Sequence, residues 1–172
     1  MREQNCKRGL VVLIEGMDLA GKTTLCSRII DELRRTGVSC TFGNNALVRD
    51  NPIALRADEY RKDSKAGMLE TGALFLAAHL YDAHQFTYPI EGTVHLQDSC
   101  WLRTLAYHET KGTRWVPELL QATRHLQPIF DLTFYLTASI ETRKARVIQR
   151  ELEKPGENDA ADYLSHVDPE RL

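Results

Sequence analysis

Paired cysteines, a dominant charge sign and long apolar runs are all missing from this chain, and each absence excludes a class of function. The four cysteines, Cys6, Cys26, Cys40 and Cys100, contain no C-x-x-C pair, and no N-x-S/T acceptor site occurs. A zinc ribbon and a secreted disulfide framework are therefore excluded, and free thiols in a reducing cytoplasm are expected. The 22 Lys and Arg against 24 Asp and Glu leave a formal charge of -2. No global basic field points to nucleic acid or an anionic membrane, so any anion must be held by local groups. The longest apolar run near the start is Leu10–Ile14, far short of the ~18 to 20 residues of a membrane span, and no targeting segment is read. The six histidines show no H-E-x-x-H or other metal spacing. They read as surface or satisfied core residues, His79 alone being a site candidate.

What is present suits one soluble domain over residues 1–172, with 42% hydrophobic and 27% charged residues. Strand and helix signals alternate without repeats, an order that argues for α/β. Leu10–Ile14 reads as a strand buried on both faces of a parallel sheet. Leu25, Ile29, Ile30 and Leu33 recur at helical spacing between Lys22 and Arg35, and Gly37 supplies a C-terminal stop. Further strands are predicted at Val38–Phe42, Thr93–Gln97 and Leu132–Leu136, and a helix over Met68–Gln85.

Between the first strand and the first helix lies Gly16-Met17-Asp18-Leu19-Ala20-Gly21-Lys22-Thr23, a complete G-x-x-x-x-G-K-T match, followed by Thr24. Glycines let successive N–H groups converge on phosphate oxygens, and the helix N-terminus adds its positive dipole end. Lys22 is expected on the β- and γ-phosphates and Thr23 on Mg²⁺. Gly16 to Thr24 are thus the candidate ATP-binding residues. No N-K-x-D guanine reader occurs, and the only D-x-x-G is Asp18 to Gly21 inside this loop. A GTPase switch is therefore disfavoured. The length suits a kinase for a small acceptor better than a large ATPase.

These residues, with three later segments, resemble the thymidylate kinase family over Leu10 to Leu172. Val12 to Thr24 is similar to its P-loop, and there the resemblance implies that Asp18 faces the acceptor's sugar. Leu74-Phe75-Leu76-Ala77-Ala78-His79 is similar to a Phe-x-Ala-x-Arg segment, which implies that Phe75 stacks on the base and puts His79 where the family's Arg reads it. Gly92 to Asp98, followed by Leu102, Thr104 and Ala106-Tyr107, resembles the third strand and Asp-Arg motif. Asp98 then becomes the outer-shell carboxylate for Mg²⁺, with Arg103 and Tyr107 on the substrate side. Asp131 to Leu136 and the following helix resemble the fourth strand and lid-bearing helix, which implies that Arg146 and Arg150 meet ATP. In that helix Ala145, Ile148 and Leu152 form an apolar stripe opposite the two arginines.

The resemblance implies an α/β, P-loop three-layer αβα fold with a parallel sheet of about four to five strands and a helical lid at about 143–160. It implies ATP and Mg²⁺ as cofactors and a nucleotide-like acceptor, while the charge balance, the short apolar runs and the free thiols lead to the expectation of no nucleic acid or membrane partner and a cytoplasmic location. The expected catalytic residues are Lys22, Asp18, Asp98, Arg146 and Arg150. A homodimer stays open, as does the C-terminal end, where the family continues with another strand and helix. Three family arginines are changed: Ser99 follows Asp98, His79 replaces the base reader, and Thr41-Phe42-Gly43-Asn44-Asn45 contains none, leaving Arg49 and Arg56 as downstream candidates. Three readings follow: a phosphotransferase acting on dTMP or a related nucleotide, a kinase for an unphosphorylated nucleoside or other small hydroxyl acceptor, and a non-catalytic ATP-binding regulator.

Overall fold

A computed structural model describes residues 8–62, 67–110 and 114–153. Its sheet contains β1 (Leu10–Gly16), β2 (Cys40–Asn44), β3 (Val94–Asp98) and β4 (Leu132–Leu136). The strands lie in the order β2-β3-β1-β4 and all pair in parallel. The helices are α1 (Lys22–Arg35), α2 (Pro52–Arg61), α3 (Met68–Gln85), α4 (Trp101–Thr110), α5 (Trp115–Ala122) and α6 (Ile140–Glu153), with a 3-10 turn at Arg124–Leu126. Among the described residues no helix is long and apolar enough to cross a membrane.

The apolar run of β1 is explained by its position, since it is flanked by strands on both edges and covered on both faces. Val11, Leu13 and Ile14 are wholly inaccessible, as expected for an inner strand of a parallel sheet. Ile14 packs with Leu96 and Cys26, so α1 lies on the face that Val12 and Ile14 share. A second core joins α3 to α5 through Leu76, Val116 and Leu120, with Trp101 and Trp115 packed against it.

Helices α1 and α3 and strand β4 match their predicted spans. The second strand starts later than predicted, because Val38 is consumed in ending α1. Its N–H bonds the Leu33 carbonyl at 2.9 Å and that of Gly37 bonds Arg34 at 3.0 Å, a Schellman-type closure with Gly37 at φ 78°. The third strand runs one residue further than predicted, to Asp98. In α6 the apolar stripe is corrected: Ile148 and Leu152 face solvent, whereas Arg143 and Val147 are buried. Of the predicted lid, residues 154–160 lie outside the described residues.

Two glycines separate steric from conformational demand. Gly16 has φ 145°, and a Cβ there would strike the Leu136 carbonyl of β4; Gly37 has positive φ with nothing near its Cβ position. Gly16→Ala is expected to cost ~3 kcal/mol and lower Tm by roughly 6–12 °C, and Gly37→Ala about 1 kcal/mol and 2–4 °C. Thermal unfolding of both variants checks the difference; equal shifts would contradict it.

Candidate active site

Parallel pairing carries the C-terminal ends of all the strands to one edge, where open α/β sheets bind ligands. Here β1 ends and the glycine loop begins, with Leu19 at φ 63° and Gly21 at φ 100° shaping the turn into α1. Lys22, 7% exposed, folds back over the loop and donates from Nζ to the carbonyls of Gly16 (2.8 Å) and Met17 (3.1 Å). Asp18 Oδ1 lies 3.8 Å from that ammonium group. Thr23, in the first turn of α1, donates from Oγ1 to Asp98 Oδ2 at 2.7 Å. The β1–β3 register brings this pair together by setting Ile14 opposite Asp98.

A hydroxyl and a buried carboxylate in contact form a hard oxygen pair, the donor chemistry that Mg²⁺ takes beside nucleotide phosphates. The residues predicted to hold the metal therefore fit it. Arg146 reaches over the loop from α6 and donates from Nη1 to the Leu19 carbonyl at 2.6 Å. Arg150 lies one helical turn further along α6 and is half-buried. Leu19 and Ala20 are buried and Met17 is 40% exposed; Thr23 and Thr24 are exposed at the start of α1.

On the acceptor side a cavity of about 1530 Å³ opens from Gly16, Met17 and Asp18. All four predicted substrate residues, Phe75, His79, Arg103 and Tyr107, line it. Helical spacing explains the first two, because Phe75 and His79 lie one turn apart on a face of α3 beside the one that carries Leu76 and Leu80 into the helical core. Arg103 extends from α4 to Asp18 Oδ1 (Nη2, 2.7 Å) and to Asn45 Oδ1 (Nη1, 3.2 Å). It therefore bridges the P-loop and the loop after β2, reaching the region where the sequence lacks arginine. Of the two downstream candidates, Arg49 lines the cavity but is 91% exposed beside Asp50, and Arg56 pairs with Glu59 on the surface.

His79 is not a charged substitute for an arginine. Burial pushes its pKa down to about 4, and Nε2 shares a 2.9 Å hydrogen bond with Thr104 Oγ1. A neutral imidazole tied to a hydroxyl replaces the fork of donors.

The loop after β2 is anchored by polar groups that periodicity does not reveal. Asp82, buried on α3, accepts from the N–H groups of Leu47 (2.8 Å) and Val48 (3.0 Å) and from Asn51 Nδ2 (2.9 Å). Asn51 Oδ1 in turn caps α2 through Ile53 and Ala54. On β3, His95 donates from Nε2 to Gln97 Oε1 (3.1 Å), and Gln97 Nε2 bonds the Ser99 carbonyl (2.7 Å). Sequence reasoning gave no role to Glu15, Asn45 or Thr104. Glu15 alone left a signal: it is the one ionisable residue of an otherwise apolar strand, directly before Gly16.

A glycine loop on an inner parallel strand, with a lysine folded over it and a threonine–carboxylate pair beside a large cavity, defines a P-loop nucleotide kinase. The chain belongs to the thymidylate kinase family, which it matches over residues 14–169. That family uses ATP and Mg²⁺. Among solved structures, the chain is similar to the thymidylate kinase of Candida albicans, whose structure is described as revealing the origin of broad substrate specificity and a novel structural element. The two are 21% identical, the match covers 92% of this chain and 81% of the other, and the TM-score is 0.61. This likeness establishes the fold. No curated protein sequence matches the chain.

The depressed pKa of His79 sets a pH dependence of stability. Below its ordinary value near 6.5 the unfolded chain binds a proton that the folded site refuses until about pH 4. Stability is therefore lost as pH falls through this window. Between pH 7 and 5 the His79 share is about 2 kcal/mol. Urea unfolding at the two pH values is expected to show that much less acid loss in His79→Gln than in the parent.

Proposed function

We propose that the chain transfers the γ-phosphoryl group of ATP to dTMP or a related nucleotide. The observation that carries this reading is the position of Arg103, whose guanidinium spans from Asp18 to Asn45 at the mouth of the cavity. An acceptor phosphate placed there meets a planar cation able to bind two of its oxygens, which suits Arg better than Lys. Arg103 thereby offsets the missing arginines at position 99 and in the loop after β2.

In this mechanism Lys22 exchanges its bonds to the Gly16 and Met17 carbonyls for bonds to the β- and γ-phosphates. The loop N–H groups and the N-terminus of α1 hold the remaining phosphate oxygens. Mg²⁺, when bound, neutralises charge on the transferring group; Thr23 Oγ1 would hold it, with Asp98 behind the hydroxyl as the outer-shell carboxylate. Arg146 and Arg150 approach the phosphates from α6. Phe75 stacks on the acceptor ring, and Asp18 accepts a hydrogen bond from the acceptor's sugar once Arg103 turns to phosphate. The phosphoryl group passes in line to the acceptor oxygen, with positioning and charge supplying the catalysis.

ADP release from MgATP with dTMP, other nucleoside monophosphates and no acceptor tests the reading. Lys22→Ala is expected to lower turnover by roughly 100-fold or more while Tm stays close to that of the parent; a fully active variant would overturn it. Arg103→Ala is expected to raise KM for dTMP by roughly 10- to 100-fold, the loss of a charged hydrogen bond, with KM for ATP unchanged. Steady-state kinetics with each substrate varied in turn separates the two effects.

A further inference from the structure

Glu15 is a buried carboxylate of the cavity that the mechanism above does not use. Glu15 is 8% exposed and lines the cavity directly before Gly16, the residue whose carbonyl receives Lys22 Nζ. Strand alternation puts its side chain on the same face of β1 as Val11 and Leu13, away from α1. Its oxygens accept only from neutral donors among the described residues. Oε1 takes the Gly16 N–H (3.0 Å) and the Ser99 hydroxyl (3.0 Å), and Oε2 takes the Cys100 N–H (3.3 Å).

Two features indicate that this arrangement is built rather than incidental. Ser99 holds φ 62°, a left-handed conformation costly for a residue with a Cβ, and from there its hydroxyl reaches Glu15. The Ser99 carbonyl is also fixed by Gln97 Nε2 at 2.7 Å. A buried carboxylate without a cationic partner is a poor neighbour for an anionic acceptor group and a good one for a neutral hydroxyl, whose proton it accepts. The cavity wall thus carries two groups of opposite character: Arg103 suits a phosphate, and Glu15 suits an alcohol. At about 1530 Å³ the cavity exceeds the roughly 300–1,000 Å³ of an ordinary small-molecule site, which leaves room for acceptors seated at different depths.

We propose that the same cavity also phosphorylates the free hydroxyl of an unphosphorylated acceptor of the nucleoside class, with Glu15 as general base. This rests on the MgATP-dependent transfer proposed above. As a lone pair of the acceptor oxygen forms the bond to the γ-phosphorus, its proton passes to a Glu15 carboxylate oxygen. The bond from the γ-phosphorus to the β,γ-bridging oxygen breaks and ADP leaves. Glu15 then returns the proton to water.

The test compares ADP release from MgATP with 2′-deoxynucleosides and with dTMP, in the parent and in Glu15→Gln. In that variant the Gln oxygen can keep the bonds from Gly16 and Ser99, and ATP binding and Tm report that it is folded. The expected result is turnover of a nucleoside that falls roughly 100-fold or more in Glu15→Gln, a loss at least about 10-fold larger than that of dTMP turnover in the same variant. Turnover of dTMP without any nucleoside would overturn the inference and leave the nucleotide reading standing. Turnover of a nucleoside but not dTMP, lost in the variant, would support the inference and overturn the dTMP reading, and silence with both acceptors would overturn both. Equal loss with both acceptors in a folded, ATP-binding Glu15→Gln would assign Glu15 a structural role and overturn its role as base.

Discussion

Parallel pairing of β1 with β3, which sets Ile14 opposite Asp98, is the constraint on which the site depends. It brings the P-loop and the buried carboxylate of β3 to the same edge, and Thr23 needs only the first turn of α1 to close the distance. Gly16, at the far end of β1, lets the chain pass against the carbonyl of Leu136 and turn into the loop. A shift of one residue in this register would reverse the faces of β1 and separate Thr23 from Asp98. The functional geometry is therefore a consequence of backbone hydrogen bonding first and of side-chain choice second.

On that frame the chain divides its charges between the P-loop and the cavity wall. Cations gather on the ATP side, where Lys22 and Arg146 lie against the P-loop. On the acceptor side Arg103 spans the opening and Asp18 shares it. His79 and Glu15, two ionisable groups in the cavity wall, are held by neutral partners, the first by a hydroxyl and the second by N–H groups and a hydroxyl. Such a wall reads shape and hydrogen bonding more than charge, and the net charge of -2 shows none of this local division.

Much of this was legible in the sequence, for physical reasons. A run such as Leu10–Ile14 has few stable placements other than an inner strand, and the glycine loop with Lys22 and Thr23 is a local solution to phosphate binding that tolerates little variation. The helical spacing of Phe75 and His79 likewise placed both on the cavity wall. Interactions between residues far apart in the chain were less visible. Nothing near Arg103 announces its reach to Asn45, and nothing near Asp82 announces that it secures the loop at Leu47 and Val48. The outward face of α6 misled because Ile148 and Leu152 are apolar at helical spacing, whereas tertiary packing buries Arg143 and Val147 instead.

Ser99 carries a consequence for how this protein and its relatives can change. A left-handed serine stores roughly 1–2 kcal/mol that a glycine would release, so selection for heat resistance alone would favour glycine at that position. The hydroxyl that this strained serine points at Glu15 is set against that cost in one backbone torsion. A glycine there would relax the torsion and leave Glu15 without the hydroxyl that orients it, so the fold would gain what the cavity wall loses.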